Sequence, residues 1–128
     1  MSLSELEEHV LAYYLENGAA DLNMVGRFWP RGELVLVIED KVQLATRKFG
    51  VRANLAGPKV ARALLEILIE RGAFSTVKGD HGSTMHQYQK DAYRTCIGEL
   101  QASNPIIAKA RAAGPGWWDE AFAALQKG

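Results

Sequence analysis

The sequence predicts an α+β fold organised as one domain over residues 1–128. Three observations carry that expectation. The chain has 128 residues at 48% hydrophobic and 23% charged, the size and balance of one ordinary globular domain. Apolar residues recur at spacings of three and four through several segments, the period of helices with one buried face. Between residues 73 and 89 two β-prone segments flank a glycine- and aspartate-containing stretch, which is the pattern of a hairpin.

Residues 4–17 read as the first helix. Ser4 and Glu7 stand at capping-box spacing, Leu6, Val10 and Tyr13 share a face, and Asn17-Gly18 supplies the stop. Residues 18–33 hold Gly26, Pro30 and Gly32 without a clear period. They read as a long connection that Phe28 and Trp29 anchor to the core. Leu34-Val-Leu-Val-Ile38 is β-branched and short, which suits a strand, although a helical turn fits the same run. Glu39-Asp40 then offers an N-cap to a helix carrying Val42, Leu44, Ala45 and Phe49 and ended by Gly50.

Val51 to Gly57 reads as a linker. Pro58 at a first helical position opens a helix over 58–71 with Val60, Leu64, Ile67 and Leu68 on one face and Gly72 after it. The hairpin pairs 73–78 with 84–89 across the turn 79–83. Three helical segments follow: 90–102 with Tyr93, Ile97 and Leu100 in register, 105–113 from Pro105, and 117–127 with Trp118, Phe122 and Leu125 on one side. Residues 4–89 thus form a core and 90–128 a C-terminal helical extension.

Cys96 is the single cysteine, so no intramolecular disulfide forms; it reads as a small buried hydrophobe on a helix. No apolar run approaches the roughly 20 residues that span a bilayer, and the start Met-Ser-Leu-Ser-Glu lacks the basic and apolar stretch of a signal peptide. The expected location is the cytoplasm.

Net charge is zero, which by itself argues against strong nucleic-acid binding, but the charge is unevenly placed. Residues 1–40 hold eight acids and two bases; residues 41–90 hold nine bases and three acids, net +6; residues 91–128 hold four of each. That asymmetry points either to an anionic partner or to an internal match, with the acidic first helix lying against the basic middle.

The order helix, short strand, helix, linker, helix, hairpin over residues 4–89 resembles the winged helix-turn-helix fold. Leu44-Ala-Thr-Arg-Lys-Phe-Gly-Val51 resembles the second helix and turn of such domains. Val60 to Phe74, ending Leu-Ile-Glu-Arg-Gly-Ala-Phe, resembles the recognition helix and wing entry of MarR-type and GntR-type regulators. Three departures stand out: the linker through residues 52–57 is longer than a tight turn, the connection 18–33 is long, and the C-terminal helices match no family pattern.

The resemblance implies a winged-helix protein that contacts double-stranded DNA, acts in transcription regulation and forms a homodimer through its terminal helices. The DNA-binding candidates are Arg47 and Lys48 at the end of the second helix, Arg52 and Asn54 before the next, Lys59 and Arg62 in its first turns, and Lys78 at the wing. Cations line up on phosphates, and arginine and asparagine read guanine and adenine edges through paired hydrogen bonds. Each has a plainer reading, as when Arg62 pairs with Glu66 four residues on. The alternative function is a non-enzymatic module that binds a protein partner with the same fold.

No catalytic or metal residues are expected, and no cofactor. His81 and His86 flank the wing tip beside Asp80, but no Cys-x-x-Cys or His-Glu-x-x-His pattern supplies a ligand set, and neither a phosphate loop nor a Gly-x-Ser-x-Gly elbow is present. Trp117 and Trp118 read as a core or subunit anchor.

Overall fold

The computed structural model describes residues 2–24 and 27–127; Gly26 of the expected connection and the side chain of Asp80 lie outside them. Among the described residues the chain is α+β, with seven α-helices and one three-stranded antiparallel sheet.

Helix α1 spans Glu5–Asn17 and starts as its sequence requires. Ser4 Oγ accepts the Glu7 N–H, and Glu7 Oε1 accepts the Ser4 N–H at 2.7 Å. Strand β1, Phe28–Pro30, falls inside the stretch expected to be connection. It is only three residues long, and its strand character comes from pairing with a distant partner.

Helix α2, Arg31–Thr46, overturns the expected strand at Leu34–Ile38 and the expected N-cap at Glu39-Asp40. Leu34, Ile38 and Val42 recur every four residues and are fully buried. Burying that helical stripe outweighs the β preference of the intervening valines.

A single 3₁₀ turn, Arg47–Phe49, and Gly50 at φ +103° follow. The expected linker is then mostly helical, as α3, Val51–Leu55, and its last residue begins α4, Gly57–Glu70. Burial of Ala53 against the core makes this short turn a helix. Gly57 lets α4 approach α2 closely, since a Cβ there would stand 2.6 Å from Gln43 Cγ. Helix α4 packs chiefly on α2 and buries Val60, Ala61, Leu64, Leu65 and Leu68.

The hairpin forms as expected. Strand β2, Phe74–Lys78, pairs with β3, Thr84–Tyr88, and β1 adds to the other edge of β3, giving the order β1-β3-β2. Opposed residues share a face. Phe74 with Tyr88, and Trp29 with His86, look inward, with Thr76 on the same face but exposed; Phe28, Ser75, Val77, Met85 and Gln87 look outward. His86 is therefore a buried sheet residue and does not flank the wing tip as expected.

Helices α5 (Lys90–Ser103), α6 (Pro105–Ala113) and α7 (Trp117–Leu125) pack on α1. Tyr93 donates its hydroxyl to the Ala19 carbonyl at 2.6 Å, and Gln101 Nε2 donates to the Leu15 carbonyl at 2.6 Å. Arg111 grips Glu16 with two parallel bonds of 2.6 and 2.7 Å. Cys96 is buried on α5, and burial pushes its thiol pKa up. Among the described residues no helix is long and apolar enough to cross a membrane.

Candidate functional site

The seven candidate residues occupy one end of α2, the 3₁₀ turn, α3, the start of α4 and the tip of β2. The structure engages four of them internally. Lys59, in the first turn of α4, lies 3.3 Å from Glu7 Oε1. That carboxylate already accepts the Ser4 N–H, the largest cause holding its pKa below the usual carboxylate range, and Lys59 lowers it further. The internal match between acidic first helix and basic middle is thus realised at this pair.

Arg52 reaches across the chain and donates from Nη1 to the Gln126 carbonyl at 3.1 Å. Gln126 in turn donates to the Phe49 carbonyl at 2.9 Å, which ties the end of α7 to the 3₁₀ turn. Asn54 donates to the Gln43 carbonyl at 3.1 Å, and Gln43 donates back to the Asn54 carbonyl at 3.2 Å. Its amide locks α3 to α2 and is not presented to a base edge.

Lys48 places its ammonium 5.3 Å from the Tyr13 ring centre and 5.1 Å from that of Phe49. The Tyr13 hydroxyl beside it raises its pKa, first through hydrogen bonding. Arg47, Arg62 and Lys78 are exposed and have no ion pair among the described residues. The pairing of Arg62 with Glu66 does not form; Glu66 meets Arg31 of α2 at 3.4 Å.

Beside these cations lies a feature the sequence reading missed. Leu44 is 66% exposed, Val51 74% and Leu55 73%. Two shallow depressions run between them, one lined by Asp40, Gln43, Leu44, Arg47 and Asn54, the other by Arg47, Gly50, Val51, Asn54 and Leu55. They share Arg47 and Asn54, so the surface is one continuous groove with apolar walls. Leu36, about two turns earlier on α2, is 60% exposed. The sequence places Leu44 among the apolar residues of its helix without giving it a face. The i, i+4 recurrence of Leu34, Ile38 and Val42 is the signal that would have placed it outside.

The paired tryptophans act as an internal anchor. Trp118 and Phe122 meet Tyr13, with ring centres at 5.1 and 6.1 Å, and Phe122 stacks on Phe49 at 4.0 Å. Trp117 stacks on His9. On the inner face of the sheet His86 Nδ1 lies 3.2 Å from Thr76 Oγ1; burial first, then the charge of Arg31, lowers the pKa of His86. Among the described residues no three or more His, Cys, Asp or Glu side chains are grouped to hold one metal ion. Comparisons of the chain with protein-family models, curated proteins and solved structures give no match.

Proposed function

We propose that the chain is a non-enzymatic protein-interaction module with a winged-helix scaffold over residues 4–89, and that the α2–α3 groove is its contact surface. The element order and the β1-β3-β2 pairing support the scaffold. One observation carries the choice of partner. Three of the six candidate cations, Lys48, Arg52 and Lys59, are engaged within the chain, and Leu44, Val51 and Leu55 stand uncovered beside them. Binding to a DNA surface rewards cations that face phosphate. Contiguous exposed apolar side chains rimmed by polar groups are the mark of a protein contact.

A second reading, DNA contact by α4 and the hairpin, rests on Arg62 and Lys78, which stay exposed and unpaired among the described residues. The experiment that separates the readings is photo-crosslinking in living cells from a photoreactive residue at position 55. Adducts to a defined protein segment, lost on Leu44→Glu, are expected. Adducts to nucleic acid would overturn the protein reading.

A further inference from the structure

The α2–α3 groove has a charge pattern that fits itself. Along α2 and into the turn that continues it, Leu36, Asp40, Gln43, Leu44 and Arg47 fall within about 100° of one another at 100° per residue. Asp40 and Arg47 are both exposed, and neither has an ion pair among the described residues. They lie on either side of the Gln43–Leu44 step at equal spacing, three residues before it and three after it.

We infer that the occupant of this groove is a second copy of the chain, docked with its α2 antiparallel to the first. The inference rests on the protein-contact reading above and names its partner. A twofold interface must be self-complementary: when residue i meets j of the other copy, j meets i. A twofold axis at the Gln43–Leu44 step satisfies this with two identical ion pairs, Asp40 to Arg47 of the second copy and the reverse. The same register sets Leu44 against the second copy's Gln43–Leu44 step.

With the axis at the Gln43–Leu44 step the two α2 helices overlap over residues 41–46, about 9 Å at about 1.5 Å per residue, and the 3₁₀ turn and α3 make up the rest of each contact face. The terminal helices offer no rival surface: among the described residues the exposed large hydrophobic side chains are Phe28, Leu36, Leu44, Val51, Leu55 and Val77, none of them in α1 or beyond residue 90.

Sedimentation of the full chain between about 1 and 300 μM, the range in which modest interfaces dissociate, tests the inference. A rise from 14.1 kDa towards twice that mass is expected. Asp40→Arg and Arg47→Asp should each weaken self-association about tenfold or more, because each sets like charges face to face. Mixing the two variants should restore it as a heterodimer, since one then carries two arginines and the other two aspartates. All four side chains in question are on the surface, and circular dichroism should show both variants folded; heterodimer recovery would itself prove it. A chain that stays monomeric throughout, a dimer indifferent to both reversals, or no recovery on mixing would overturn the inference. A monomer whose position 55 still crosslinks a different protein would leave the protein-contact reading standing, whereas nucleic-acid adducts would remove both.

Discussion

The joint between α1 and the C-terminal helices and the groove on α2–α3 use hydrophobic side chains in opposite ways. At the joint, Tyr13, Phe49, Trp118 and Phe122 close on one another, and the polar groups around them are tied across the chain: Arg111 to Glu16, Gln101 to Leu15, Gln126 to Phe49. On α2–α3, Leu44, Val51 and Leu55 face outwards, and the one reciprocal polar pair, Gln43 with Asn54, holds the groove floor in shape without covering its walls. The first region is finished by the chain itself. The second is rigid, apolar and open, which is the condition of a surface made for another molecule.

Mutations should separate the two regions sharply. The largest effect is expected from Phe122→Ala, which removes a side chain 1% exposed and stacked on Phe49. Its cost should be about 3–5 kcal/mol in urea unfolding. Leu55→Ala in the groove should stay within about 0.5 kcal/mol, as surface changes do. Equal costs at the two positions would abolish the contrast.

Gly57→Ala comes next. The new Cβ would meet the Gln43 side chain, which cannot move aside without breaking the bond from its Nε2 to the Asn54 carbonyl. A loss of about 1–3 kcal/mol is expected from overpacking. The Gln43 side-chain amide should lose its protection from hydrogen exchange at the same time, since its bond to the Asn54 carbonyl is the one the new Cβ disturbs.

His86 gives a smaller, pH-dependent effect. Its folded pKa is lowered by burial, so the unfolded chain binds the proton more readily. Stability from this group is complete above the ordinary histidine pKa of about 6.5 and is lost as pH falls from there through the lower folded value. Thermal unfolding at pH 7.5 and pH 5.5 should show the decline, and His86→Gln should reduce it. The sheet interior would be affected and the groove not, so chemical shifts of Leu44 and Leu55 should hold still through the same range.

The smallest change concerns the ion pair between the acidic helix and α4. Glu7→Gln weakens the capping box and frees Lys59, at a cost of about 0.5–1 kcal/mol because the pair is partly solvated. The same variant should leave self-association unaltered, because Glu7 lies away from the Asp40–Arg47 stripe.

The elements readable from sequence were those with local signals. The capping box of Ser4 and Glu7, the Pro58 start, the turn at 79–83 and the Asn104-Pro105 break each specify geometry within a few residues, and α1, α4, the hairpin and α5 to α7 form close to where they point. Strand β1 was not readable, since three residues become a strand only by pairing with β3, more than fifty positions on. Helix α2 was hidden because Val35 and Val37, in and among its buried stripe, mimic a strand. The cations of the candidate site were visible as types, but their partners were not. Glu7 is far from Lys59 in the chain and Gln126 far from Arg52, and no periodicity connects them.

Fluorescence anisotropy of the purified chain with labelled duplex DNA, titrated in salt, tests the central claim most directly. If the surface is made for protein, binding at physiological salt should be no tighter than non-specific, a Kd of about 10⁻⁴–10⁻⁶ M, and Arg62→Ala and Lys78→Ala should change it alike and little. A sequence-preferring complex would contradict the account, particularly if Arg62→Ala cost about 1–3 kcal/mol and relaxed the preference while Lys78→Ala flattened the salt slope by about one unit.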